Sequence, residues 1–229
     1  MKPDSGLAKF LRFVGILLMS ITAGFTILGG AGTSCAALFP TKWDSMAPLA
    51  PFQWLYILYV IVTIAIGVMG IRAVVMLVKG KPGSYKAALT ALILGVVVGI
   101  IHIITSRSLR GSSMPVDAVV YMTVLTLAVF LIFRIPGIWQ GIDYTRAPRK
   151  EVKKSGGAAA IVVGMLCLTI QFFMASTHTW NGVNFADAFH ATMSIVGSAF
   201  ILFGSGLILS SLWTPSFKKI RAGSVVSAK

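Results

Sequence analysis

Arg146-Ala-Pro-Arg-Lys-Glu-Val-Lys-Lys154 packs five cationic side chains and one Glu into nine residues, and an apolar run long enough to cross a bilayer lies on each side of it. A basic segment between two such runs marks a cytoplasmic connection, because Lys and Arg are retained on that side of the membrane during insertion. Working outward, six segments reach the ~20 mostly apolar residues that a spanning helix requires. They are Phe13 to Ala31, Trp54 to Val78, Ala87 to Thr105, Ala118 to Trp139, Gly156 to Ala175 and Ala188 to Trp213. The expected fold is an all-α, six-helix transmembrane bundle forming a single domain over residues 1–229, with both termini cytoplasmic.

The charge distribution supports this reading. Of the 20 Lys and Arg residues, 17 fall on the side of Arg146 to Lys154, and only Lys42, Arg107 and Arg110 on the other. Within the spans only Arg72 and Arg134 are charged, each near the end assigned to the cytoplasm, where a long side chain snorkels to the headgroups. Trp54 and Tyr56 at one boundary and Trp139, Tyr144 and Trp213 at the other match the aromatic belts of a membrane protein.

Composition excludes several classes. A chain that is 56% hydrophobic and 11% charged would expose too much apolar surface in water. The net charge of +14 does not point to nucleic acid, because the aromatics sit inside apolar runs rather than among the cations. The expected surroundings are the lipid bilayer of the plasma membrane, crossed several times, together with other membrane subunits. Cys35 and Cys167 form no CxxC pair. Gly32-Thr33-Ser34-Cys35 after an apolar run loosely resembles a lipoprotein signal, but Gly32 stands where such signals carry Leu and the run is long, so the first helix is expected to be retained.

Gly32 to Gln53 is the longest connection on the non-cytoplasmic side. Pro40, Pro48 and Pro51 exclude a continuous helix, and the apolar residues Leu38, Phe39, Trp43, Met46 and Leu49 predict a cap folded onto the bundle. Small residues four apart, Ser20 with Gly24, Gly95 with Gly99 and Ser194 with Ser198, predict helix contacts, since lipid leaves close packing as the main drive for association. Met19-Ser20-Ile21, Ile27-Leu28 and Gly30 also match Met193-Ser194-Ile195, Ile201-Leu202 and Gly204, a likeness of two Gly- and Ser-rich helices that does not extend to the others.

All three histidines fall toward the non-cytoplasmic side. His102 and His190 lie at similar depth and could ligate a b-type haem between the third and sixth segments. His178, Asp187 and His190 could gather as a metal-binding, proton-handling or ligand site, and the soft Met and Cys side chains nearby would suit copper. Interfacial residues with purely local hydrogen bonds are the plain alternative. No nucleotide loop, catalytic triad or zinc-protease motif is present, so no catalytic residue is named. The functional expectation is a non-catalytic anchoring or assembly subunit of a membrane complex. The alternatives are a haem b redox subunit using His102 and His190, and a small-solute channel or transporter.

Overall fold

The computed structural model describes residues 1–3, 5–42, 44–146, 149–174, 179–180, 183–188 and 190–213. Its helices are α1 (Gly6–Leu38), α2 (Gln53–Val78), α3 (Ser84–Arg110), α4 (Val116–Phe133), α5 (Pro136–Ile142), α6 (Arg149–Met174), α7 (Phe185–Ala188) and α8 (His190–Leu212). Six of them, all but the short α5 and α7, are long and apolar enough to cross a membrane. A two-residue antiparallel ladder, Thr179–Trp180 against Val183–Asn184, sits between α6 and α7.

The helix centred in the fold is α1, which packs against α2, α4 and α6. Helices α1 to α4 form a bundle closed by α2 on α3 and α3 on α4, and α8 joins the molecule through α6. Successive spans run in opposite directions. The cations of the helix ends therefore gather at one basic end, where Lys9 Nζ lies 3.8 Å from Glu151 Oε2. The opposite end is called the far end below.

The basic end is sealed by apolar packing. Ile16, Met19, Leu77, Leu92, Phe130, Phe133 and Tyr144 form one buried cluster. Tyr144 is buried there, and its hydroxyl donates to the Arg12 carbonyl oxygen at 3.4 Å. Gly80, at φ +58°, makes room for it: a Cβ on Gly80 would lie 2.8 Å from the Tyr144 carbonyl oxygen. Burial pushes the Tyr144 phenol above its ordinary pKa, with the nearby Arg12 charge opposing the shift.

Close approach of helices follows a shared device. In α1 and α2 the sequence Ile-x-x-Gly occurs as Ile27 to Gly30 and as Ile64 to Gly67, and each glycine receives the isoleucine of the other helix. In α6 and α8 it recurs as Ile161 to Gly164 and as Ile201 to Gly204, with the same reciprocal seating. Two further glycines, Gly157 and Gly197, sit seven residues from Gly164 and Gly204, opposite Gly204 and Gly164 respectively, so two backbones meet at carbonyl distance. Gly95 and Gly99 pack on Thr123 and Val120 of α4, as the spacing of four suggests. Gly24 faces open space and Ser198 is exposed, so those two predicted faces are not internal seams of this chain.

Several helices outrun their apolar segments, α1 from Gly6, α6 from Arg149 and α3 to Arg110, and two boundaries differ for a local reason. The fourth span ends at Phe133 rather than at Trp139. Pro136 forces Ile135 out of the helical region, to ψ 127°, and the chain restarts as α5. Arg134 at this break lies over the Trp139 ring, 5.0 Å from its centroid. The first span continues to Leu38, beyond the expected Ala31, and the following connection coils into two 3-10 turns, Pro40–Lys42 and Ala47–Phe52. Leu49 of the second turn is buried against Ala36, Ala37, Tyr56 and Tyr59, whereas Leu38 and Phe39 remain exposed. The cap therefore forms, but on a narrower footing than its apolar content suggests.

Candidate functional site

A polar seam enters the α1 to α4 bundle from the far end. At its rim, Gly111 closes α3 with φ +70° and its N–H donates to the Arg107 carbonyl oxygen at 2.9 Å, turning the chain toward α4. That turn brings Ser113 and Asp117 beside Arg107. Ser113 Oγ donates to the Asp117 carboxylate at 2.7 and 2.8 Å, while Arg107 donates from Nε to Ser113 Oγ at 2.9 Å and from a terminal nitrogen to Asp117 Oδ1 at 3.1 Å. Asp117 is buried, so pairing with a half-exposed Arg107 spares its charge full desolvation.

Deeper in the seam, the Tyr56 hydroxyl lies 2.8 Å from Ser106 Oγ, and the Tyr59 hydroxyl 2.9 Å from Thr105 Oγ1. The Thr105 hydroxyl donates to the Ile101 carbonyl oxygen, so Tyr59 is the donor in its pair. His102 follows, 4% exposed, stacked on Tyr59 with ring centroids 4.2 Å apart and edge-on to Tyr56 at 5.5 Å. It borders a void of about 30 Å³ whose wall mixes Thr26, Thr33, Thr63 and Thr123 with a larger area of valine, isoleucine and glycine. The last polar contact is Thr22 to Thr126 at 2.7 Å, above the apolar seal.

The histidines expected to act together lie in different parts of the fold. His102 is on α3, which packs on α2 and α4, whereas His190 is exposed at the start of α8, which packs on α6. Space beside His102 is water-sized, so a porphyrin there would require the four helices to part. Asp187 accepts from Asn184 Nδ2 at 2.7 Å. His178 lies outside the described residues, as do the side chains of Cys35, Gln171 and Met174. Among the described residues no three His, Cys, Asp or Glu side chains gather as a metal site.

The uncharged groups that line the seam stand out less in the sequence than the ionisable ones. A helical signal was available: Thr22, Thr26, Gly29 and Thr33 in α1, Tyr56, Tyr59 and Thr63 in α2, and Gly95, Gly99, His102 and Ser106 in α3 each follow three- and four-residue steps along one face. The chain matches no known family model, no curated protein and no solved structure.

Proposed function

We propose that this chain is a multi-pass protein of the plasma membrane, with both termini cytoplasmic, that serves as a non-catalytic anchoring or assembly subunit of a larger membrane complex. The observation that carries the reading is the isolation of α8. Its span is 17% buried, against 39% for α1 and α4, because α6 is its main neighbour. Opposite the α6 seam, Ile195, Leu202 and Leu209 stand exposed at intervals of seven, with Ser198 and Gly206 between them. Large side chains alternating with small ones along one stripe suit the close approach of another membrane helix.

The test is a photo-crosslinker at Leu202 in native membranes, followed by purification in mild detergent. A discrete adduct with another membrane protein, retained through purification, is expected. A chain that purifies alone and crosslinks only to lipid would overturn the reading. Orientation is tested separately by a fusion reporter after Ser176, which should read non-cytoplasmic; a cytoplasmic reading would reverse the topology.

The polar seam favours a second reading, a small-solute pathway, because its hydroxyls reach from the far end to Thr22 and Thr126. Flux into liposomes holding this chain alone would support it, and impermeable liposomes would exclude it. The haem b alternative, with His102 and His190 as axial ligands, is tested by the dithionite-reduced absorption spectrum: pigment lost on His102→Ala supports it, and a colourless preparation grown with adequate haem excludes it.

A further inference from the structure

His102 brings an imidazole to the wall of the void. Its side chain is almost fully buried, its ring stacks on Tyr59 and stands at a steep angle to Tyr56, and, with no hydrogen bond to a described residue, its nitrogens are not sealed off but adjoin water-sized space. A neutral imidazole carries one N–H donor and one acceptor nitrogen, each able to bind a small polar guest. The ring borders the void at the centre of the α1 to α4 bundle.

The void wall is largely apolar, with Ile66, Val98, Val116, Val119 and Val120, and sets threonine oxygens among them. Thr26, Thr33 and Thr123 each spend their hydroxyl proton on a carbonyl oxygen one turn back, at 2.7 to 2.8 Å, which leaves oxygen lone pairs on the wall. A guest between imidazole and threonines must therefore donate to oxygen and also accept from, or donate to, a ring nitrogen. It must be neutral, because the wall carries no formal charge to offset an ion. It must also be small: about 30 Å³ accommodates one or two water molecules.

We propose that the void beside His102 is a binding site for water, held between the imidazole and the threonine hydroxyls, and that it forms the inner end of the polar seam. This inference is independent of whether α8 recruits a partner. It accounts for a buried histidine among hydroxyls that otherwise bond within their own helices.

Radiolytic labelling tests it on the full chain in nanodiscs. Hydroxyl radicals generated by a short X-ray pulse arise from bound water in place and oxidise the side chains that touch it. His102 should label at least about tenfold faster than Phe130, a side chain fully buried in dry apolar packing, and within about tenfold of exposed Met114. Labelling no faster than Phe130 means a dry void and overturns the proposal. Thr63→Leu, which fills the void, should suppress His102 labelling, and persistence at the native rate also overturns it. If Thr63→Leu does not fold, Gly95→Ala provides a comparison, since it adds a methyl at the void wall, 3.2 Å from Thr123.

Discussion

Gly164 of α6 and Gly197 of α8 face each other so closely that a Cβ on Gly164 would lie 2.6 Å from the Gly197 carbonyl oxygen, and one on Gly197 2.8 Å from that of Gly164. Neither residue can grow without separating two backbones. Because α6 is the main support of α8, this seam governs whether the last helix stays attached.

Gly197→Leu should therefore destabilise the α6 to α8 pair by about 1–3 kcal/mol, the usual range for overpacking a tight contact. Gly206→Leu, on the same helix but with nothing within 4 Å of its Cβ position, should change stability by less than about 0.5 kcal/mol. Thermal unfolding of both variants in one detergent checks the contrast, and equal effects would mean that α8 is held elsewhere.

At the rim, Ser113→Ala should cost more than Arg107→Ala. Ser113 is the buried donor to both Asp117 oxygens, whereas Arg107 is half exposed and its attraction is screened by water. We expect about 1–2 kcal/mol for Ser113→Ala, at the level of a hydrogen bond to a buried charge, and less for Arg107→Ala. A denaturation series on the two variants gives the order directly.

Tyr144 predicts the alkaline behaviour. Burial raises its folded pKa above the unfolded value of 10.0, so folding favours the neutral phenol. This contribution is fully present below about pH 10 and is lost as pH rises toward the folded pKa. Tyr144→Phe removes the ionisation and should move alkaline unfolding to higher pH. Near neutral pH it should cost less than about 1 kcal/mol, since the bond lost is a long one to the Arg12 carbonyl. An unchanged alkaline midpoint would show that other groups control it.

In mid-bundle, Thr126 donates to the Met122 carbonyl oxygen, which leaves Thr22 as the donor in the Thr22 to Thr126 contact. Thr126→Val should then cost about 0.6 kcal/mol, typical of an interhelical bond in a membrane protein. A double-mutant cycle with Thr22→Val should recover a coupling of that size. Strict additivity of the two variants would mean that the hydroxyls do not interact.

What could be read from sequence differs by kind. The six spans were legible because apolar length is a property of a segment alone. Pro136 was equally visible, yet one proline barely alters the hydropathy of a long run, so the break at Arg134 was read through. Contacts were partly legible: Gly95 and Gly99 at a spacing of four met α4, while the decisive glycines of α6 and α8 recur at seven. The matching patterns of the first and last helices, unremarkable as a repeat, correspond to two seams built alike, Ile27 to Gly30 and Ile201 to Gly204. His102 and His190 share a depth in the chain pattern, but depth carries no information on which helices are neighbours. The seam around His102 was written in threonines and tyrosines, which carry no formal charge and so do not stand out in an apolar run.

The central position of α1 also sets a timetable. Its sides facing α2 and α4 can be covered once the chain has been made through Phe133, but the side that takes α6 must wait for another forty or so residues. During that interval α1 is a docking strip without its intended occupant, in a membrane crowded with other newly made helices. A chain ending after α5 would leave that side of α1 uncovered, so the last two spans complete the first helix's surroundings as well as their own.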